Sequence, residues 1–271
     1  FWKWWPDLYR DLHTFRITGG EPLLSKDTWK VLDYIIDEPN PNKELNLAIN
    51  SNLGAPDNLI DKFIEKLKRI EDEDRVKELV IFTSVDTWGE QAEYIRNGLE
   101  FNKFWDNCNK VLDSLDRVVL TVMSTYNALS VPNYPKLIGG IYDLKTNFAS
   151  EDRYWNSAVF LDSSYLRFPH HQTVQVLPRE WDKKILEQAQ MTDFYSVPKF
   201  EKNYFGYSDI EIQKIKRIYD WATSTDEEKV MKQRYNFGKF FKEHDKRRGT
   251  NFRKTFPELA EFYNDCQRIK L

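Results

Sequence analysis

The chain has 271 residues, of which 41% are hydrophobic and 15% aromatic, enough for the core of one large α/β domain or two small ones. Its net charge of −3 predicts no general attraction to nucleic acid or anionic membranes, so neither is expected as a partner. A mean hydropathy of −0.68 and the lack of any apolar run of about 18 residues argue against a membrane span. No secretory signal is visible, and the two cysteines, Cys108 and Cys266, lack the spacing of a metal site or a disulfide framework. Together these features predict a cytoplasmic protein.

Short strand-like runs alternate with helical runs over the first two thirds of the sequence. The first strand is predicted at 15–18, where two glycines end it, and Ser25 stands at the N-cap position of the helix that follows. Four further strands are predicted at 45–50, 79–83, 118–123 and 173–177. The strand at 79–83 is almost continuously apolar, which predicts burial on both of its faces.

This β-then-α order predicts a parallel sheet with right-handed crossovers, in an α/β fold that is an open sheet or a partial TIM-like barrel over residues 1–190. Charged helical segments at 209–221 and 227–241 predict a helical C-terminal extension over residues 191–271. The sequence opens with Phe1-Trp2-Lys3-Trp4-Trp5 instead of a polar tail, and we interpret residue 1 as lying inside a longer domain.

Polar residues and glycines follow most of the predicted strands. Since the carboxyl ends of parallel strands share one edge, ligands bind there. The two glycines of Gly19-Gly20-Glu21-Pro22 allow a sharp turn and close backbone approach to a ligand, and Glu21 adds a carboxylate suited to an ammonium group. The same residues also fit an ordinary turn with an acid at a helix start, and spacing does not choose between these interpretations.

The order of the strand ends resembles the radical S-adenosylmethionine (SAM) enzyme family. The tetrapeptide Gly19-Gly20-Glu21-Pro22 is similar to the motif with which these enzymes hold the methionine ammonium of SAM. The resemblance continues through the motifs Ser51-Asn52-Leu53, Ser84-Val85-Asp86-Thr87, Tyr94-Ile95-Arg96-Asn97-Gly98 and Ser124-Thr125-Tyr126-Asn127. Weaker similarity to the twitch-domain subgroup is carried by Arg247-Arg248-Gly249-Thr250 and Phe256-Pro257-Glu258-Leu259.

The resemblance implies a partial (β/α)6 barrel that binds SAM and, with a [4Fe–4S] cluster and an electron donor, forms a 5′-deoxyadenosyl radical that abstracts hydrogen from a substrate. A peptide substrate is suggested by the subgroup alone. Ser84 and Arg96 would bind the SAM carboxylate, a role that suits a hydroxyl and a guanidinium. The full set of SAM-binding residues expected is Gly19, Gly20, Glu21, Pro22, Asn52, Ser84, Asp86 and Arg96. Arg96 also fits a helix C-terminal charge, and Asn52 and Asp86 fit turn and cap residues.

One part of the family pattern is missing. The cluster requires three cysteines in a CxxxCxxC loop, which this sequence lacks. We expect those ligands upstream of residue 1, and we expect no metal ligand and no catalytic residue within the chain itself.

Two other interpretations stay open at this point. In the first, the chain is a SAM-binding or partner-binding pseudoenzyme without a cluster. In the second, it is an unrelated barrel hydrolase or aldolase that uses Glu21 and Asp86 as an acid/base pair.

Further candidates are weaker. His170-His171 could be metal ligands or bases, but adjacent residues of an extended segment point to opposite sides. The stretch 229–254 carries ten Lys and Arg against two acids and interleaved aromatics. It fits an anionic partner, and it fits better an amphipathic helix with solvated lysines.

Overall fold

The computed structural model describes residues 1–149, 157–196, 206–225 and 227–270, leaving aside the side chains of residues 227–229. Within this part of the chain, five parallel strands form one sheet in the order β1-β2-β3-β4-β5, so each strand pairs with its neighbour in sequence. The strands are β1 (Thr14–Ile17), β2 (Asn46–Asn50), β3 (Glu78–Ser84), β4 (Val119–Tyr126) and β5 (Val159–Tyr165). The predicted α/β class and parallel sheet are confirmed, and the strand order is compatible with a partial barrel.

Helices lie between the strands and after the last one. The first six are α1 (Trp5–Asp11), α2 (Lys26–Asp37), α3 (Asp57–Asp72), α4 (Glu90–Ile95), α5 (Phe101–Ser114) and α6 (Tyr134–Asn147). Beyond β5 follow α7 (Glu180–Phe194), α8 (Asp209–Thr223), α9 (Glu227–Arg248), α10 (Phe252–Thr255) and α11 (Ala260–Arg268). The predicted cap is confirmed, because the Ser25 hydroxyl accepts a hydrogen bond from the Asp27 backbone N–H at the start of α2.

The two faces of the sheet differ in burial. On one face lie fully buried side chains such as Leu47, Ile81 and Leu120, which pack against the helices. On the other face Phe82 and Met123 are only half-buried. Burial therefore alternates along β3, and the prediction that 79–83 is covered on both faces was wrong. The second face is left partly open and carries the polar residues discussed below.

The predicted fifth strand was also wrong. Residues 173–177 contain a 3-10 turn, Val174–Val176, and the fifth strand of the sheet is Val159–Tyr165 instead. Val174 and Val176 are both buried, so an alternating apolar pattern was satisfied without a strand. The predicted turn at Ser124 also begins later, since β4 continues to Tyr126.

A buried ion pair closes the outer edge of β5. Lys145 of α6 and Glu211 of α8 are each 1% exposed and lie 3.0 Å apart. Lys145 donates a hydrogen bond to the Val159 carbonyl, and Glu211 accepts one from the Leu161 N–H. The Val159 carbonyl and the Leu161 N–H face away from β4, and both are thereby bonded to side chains. Helix α8 lies where a further strand would otherwise pair with β5.

The helices after β5 share the apolar core of the sheet. Aromatic side chains of α9 and α10, among them Phe237, Phe241 and Phe252, are buried in the same apolar cluster as the sheet residues. Exposed lysines such as Lys239, Lys242 and Lys246 lie on the opposite side of α9. This distribution is that of an amphipathic helix packed on the domain. The boundary at residue 190 stays a prediction.

Candidate functional site

The glycine loop follows β1 in a backbone conformation that favours glycine. Gly19 has φ +96° and Gly20 φ +45°, and an added Cβ at either position would meet no atom within 4 Å. The glycines are therefore required by the turn itself, and open space lies in front of it. Pro22 begins a 3-10 turn, Pro22–Leu24, and is buried.

Glu21 fastens this loop to the end of β2. One carboxylate oxygen accepts hydrogen bonds from the Leu23 N–H at 3.1 Å and the Ser51 hydroxyl at 2.8 Å. The other oxygen accepts one from the Asn52 N–H at 2.8 Å. Because a carboxylate oxygen can accept two hydrogen bonds, the second oxygen retains capacity for one more donor.

The Asn52 side chain stabilises the turn in which it lies. Its Oδ1 accepts a hydrogen bond from the Gly54 N–H at 2.8 Å, and Leu53 between them adopts a left-handed backbone with φ +52°. The side chain of Leu53 is fully buried. The structure therefore brings the Asn52 backbone, and not its amide side chain, to Glu21.

Ser84, Asp86 and Arg96 are brought together by the end of β3 and the end of α4. Arg96 caps α4, and its guanidinium forms a two-point ion pair with Asp86 at 2.8 and 3.1 Å. A third N–H donates to the Ser84 hydroxyl at 3.0 Å. The side chain of Asp86 is 7% exposed and that of Arg96 is 33% exposed, so the carboxylate is buried beneath a guanidinium that solvent reaches.

Asp86 also connects β3 to β4. Its carboxylate accepts a hydrogen bond of 2.8 Å from the Thr125 N–H. Asn127, two residues later, holds a turn by accepting from the Leu129 N–H and donating to the Thr125 carbonyl. The predicted residues thus form two contact groups, one around Glu21 and one around Asp86.

Arg16 belongs to this region and was not predicted. It lies on β1, where its Nε donates to the Asn50 Oδ1 at 2.8 Å and its guanidinium carbon lies 4.0 Å from the centre of the Phe82 ring. The sequence does contain a signal for this placement. Side chains alternate along a strand, so Arg16 lies on the face of the sheet opposite to Phe15 and Ile17.

The described residues offer no metal centre. No group of three or more His, Cys, Asp or Glu side chains is arranged to hold a metal ion in the described ranges. Both cysteines are buried, and burial raises the pKa of the Cys108 thiol and raises that of Cys266 to about 12, so thiolate formation is disfavoured. His170 and His171 form a 3-10 turn with Gln172, which corrects the predicted extended segment.

No protein-family model, curated protein or solved structure matches this chain. Among the described residues, no helix combines the length and apolar character needed to cross a membrane.

Proposed function

We propose that this chain is the SAM-binding part of a radical SAM enzyme, built on a partial (β/α)6 barrel, and that SAM binds where β1 to β4 end. The observation that carries the proposal is the contact group of Ser84, Asp86 and Arg96 at the end of β3. Two of these residues are the carboxylate ligands that the resemblance implies, and they lie within hydrogen-bonding distance of each other.

The donor set suits an amino-acid carboxylate. Arg96 has five N–H groups and uses three of them in its bonds to Asp86 and Ser84, which leaves two for a ligand. The Ser84 hydroxyl accepts from Arg96 and keeps its own proton to donate. Asp86 holds the guanidinium plane in place, so little side-chain entropy is lost when a carboxylate binds.

The ammonium group of SAM would be held by acceptors on the glycine loop. Glu21 has one carboxylate oxygen with remaining capacity, and Gly19 and Gly20 are exposed and unobstructed. Glu21 has a second task in this arrangement, because its bonds to Ser51 and Asn52 fix the loop against β2. In the intact enzyme Pro22 fixes the chain direction behind the glycines.

A [4Fe–4S] cluster supplies the electron that cleaves SAM in this chemistry. The described residues do not fit such a cluster, since three thiolates are needed and the two cysteines are buried in separate helices. We therefore derive no cleavage step from this chain. The cluster ligands, the electron donor and a peptide substrate are proposed for the intact enzyme only.

A pseudoenzyme that binds SAM without a cluster is the second candidate, because the contact group of Ser84, Asp86 and Arg96 would serve it equally well. The hydrolase or aldolase alternative is weaker, because both carboxylates that it needs are engaged. Glu21 accepts three hydrogen bonds and Asp86 accepts three, all from protein donors. Asp86 is paired with Arg96, and Glu21 is held at the end of β2 with room for one further donor, so neither carboxylate is free to move as an acid/base pair would require.

Isothermal titration calorimetry with SAM tests the proposal. Hydrogen bonds to charged groups contribute about 1.5–3 kcal/mol, so Arg96→Ala should weaken SAM binding about 10- to 100-fold. Ser84→Ala should weaken it less, and Arg217→Ala on the exposed surface of α8 should leave it unchanged. Thermal melts of each variant check that it is folded.

Equal SAM affinity in wild type and Arg96→Ala would show the proposal to be wrong, as would the absence of any binding by the folded wild type. Adding the upstream residues and then detecting 5′-deoxyadenosine would distinguish the enzyme from the pseudoenzyme.

A further inference from the structure

Arg16 is an exposed guanidinium held rigidly on the open face of the sheet. It stands on the edge strand β1 in register with Ala48, and so on the same face as Asn50 and Phe82. Its Nε–H is bonded to the Asn50 amide oxygen, and its guanidinium carbon lies over the Phe82 ring, 4.0 Å from the ring centroid. A hydrogen bond and a ring contact together restrict the orientation of the guanidinium group.

The charge of Arg16 is not balanced by a carboxylate. Among the described residues, no Asp or Glu lies within ion-pair distance of Arg16, whereas Arg96 is paired with Asp86. The remaining polar neighbour of its Nη2 is the Met123 sulfur at 4.0 Å, a weak acceptor. The terminal N–H groups of Arg16 are therefore positioned and without a strong acceptor.

Arg16 also lies close to the Arg96 group. Met123, which the Arg16 side chain reaches, is the register partner of Ser84 across β3 and β4. Phe82, beneath the guanidinium, is two residues before Ser84 on the same strand face. Arg16 thus extends across the sheet from β1 toward the place where Ser84 and Arg96 meet.

We propose that Arg16 binds an oxyanion, a carboxylate or phosphate group, of the molecule that this open face receives. A planar guanidinium with a fixed orientation and free terminal N–H groups binds such groups through two parallel hydrogen bonds. That this molecule is the substrate rests on the proposed function. That an oxyanion binds at Arg16 follows from the contacts of Arg16 alone.

The test is an NMR titration of the arginine Nε–H signals with inorganic phosphate, pyrophosphate and acetate, at constant ionic strength. We expect a saturable shift of the Arg16 signal, which Arg16→Ala identifies by its loss. Acetate and phosphate as separate titrants distinguish a carboxylate ligand from a phosphate ligand. Arg217→Ala is the matched control and should leave the titration unchanged.

Two variants test the mechanism without removing the fold. Asn50→Asp places a carboxylate where Arg16 now meets an amide oxygen, so it should pair with Arg16 and weaken anion binding at least 10-fold. Arg16→Lys keeps the charge but loses the planar pair of donors, and it should weaken binding by a smaller factor. Thermal melts check that both variants are folded.

The proposal is overturned if none of the three anions produces a saturable shift of the Arg16 signal. It is also overturned if the titration of folded Asn50→Asp is the same as that of wild type. The SAM titration separates this inference from the proposed function. If wild type does not bind SAM but phosphate shifts Arg16, the anion site stands and the SAM proposal fails. If Arg16→Ala weakens SAM binding as much as Arg96→Ala does, Arg16 belongs to the SAM site and the separate oxyanion site is wrong.

Discussion

The phenol of Tyr94 donates a hydrogen bond of 2.9 Å to the carboxylate of Asp245. Tyr94 lies in the short helix α4, two residues before Arg96, and Asp245 lies in α9 of the C-terminal extension. Asp245 also accepts hydrogen bonds from the Thr250 hydroxyl and the Phe252 N–H. A second connection runs from Gln91 of α4 to the Thr255 carbonyl. The extension therefore holds the helix that presents Arg96.

Tyr94→Phe should weaken SAM binding by less than Arg96→Ala does, although residue 94 is not expected to contact the ligand. The substitution keeps the ring in its aromatic cluster but removes the donor to Asp245, at a cost of about 1 kcal/mol in the free energy of unfolding. Burial raises the pKa of Tyr94, and so does its bond to Asp245, so the phenol donates throughout the neutral range.

Tyr142→Phe is the control for that experiment, since Tyr142 lies on α6 and stacks on Tyr195. Calorimetry with SAM and urea unfolding measure the two effects. Identical SAM affinity in wild type and Tyr94→Phe would show that α4 positions Arg96 without the extension.

Gly140→Ala and Gly139→Ala should change stability in opposite directions. A Cβ at Gly140 would lie 2.4 Å from the Trp88 ring and 3.0 Å from the Trp105 ring, whereas one at Gly139 meets only Met191, at 3.9 Å. We expect Gly140→Ala to lower the free energy of unfolding by about 1–3 kcal/mol through overpacking. Gly139→Ala should raise it by about 0.4–1 kcal/mol, because alanine restricts the unfolded chain.

Urea unfolding of both variants measures this difference. Trp88 follows Asp86 by two residues, so tryptophan fluorescence should also change in Gly140→Ala alone. A stable Gly140→Ala variant with unchanged fluorescence would contradict the close contact between α6 and this loop.

Lys145→Met should lower the free energy of unfolding by about 3–5 kcal/mol, since it leaves the buried Glu211 carboxylate without its cation. The double variant Lys145→Met with Glu211→Gln should recover part of that loss, because no uncompensated charge remains and the amide oxygen can still accept from Leu161. Urea unfolding of the single and double variants gives the comparison.

The matched control is Lys214→Met, which removes an ion pair with Asp162 whose side chains are 25% and 37% exposed. That change should cost less than about 1 kcal/mol. A double variant less stable than Lys145→Met alone would show that the charge of Glu211 stabilises the fold even without Lys145.

Stability should fall as the pH drops below 6.5, and His244 should account for part of the fall. Its ring lies 4.5 Å from that of Tyr94, and burial lowers its pKa from the ordinary 6.5, assisted by the charge of Arg248 and opposed by Asp245. The pKa of His171 is lowered in the same direction by burial and by His170. Below pH 6.5 the unfolded chain binds protons that the folded chain does not, so unfolding is favoured until the folded histidines also titrate.

His244→Gln should reduce this pH dependence between pH 7 and 5, measured as the midpoint of urea unfolding. His13→Gln removes a histidine from the surface and is the control. An unaltered pH profile in His244→Gln would show that protonation of His244 is not linked to folding.

The sequence predicted the elements whose patterns are local. Strands β1 to β4 and the Ser25 cap were found within one to three residues, because apolar runs and turn residues mark them directly. Strand β5 was missed, since its sequence Val-Phe-Leu-Asp-Ser-Ser-Tyr turns polar halfway, and its edge is completed by Lys145 and Glu211 from distant helices. A local sequence pattern cannot predict the pairing of Lys145 with Glu211, because the two residues are 66 positions apart.

The candidate site was predicted in part for the same reason. Parallel strands bring their carboxyl ends together, so the meeting of Ser84 with Asp86 and Arg96 could be expected. The sequence could not show that the Glu21 carboxylate accepts hydrogen bonds from Ser51 and Asn52. Those bonds depend on the distance between the loop after β1 and the loop after β2. Arg16 went unnoticed because a charge on a short strand usually faces solvent.

The closed edge of β5 has a consequence for self-association. A sheet with two open edges can add copies of itself head to tail without limit, which is how strand pairing builds fibres. Here the Lys145–Glu211 pair already binds the outward-facing backbone groups of β5. A strand from another copy therefore cannot pair with β5 unless this buried ion pair is broken first, and that edge takes no part in such growth.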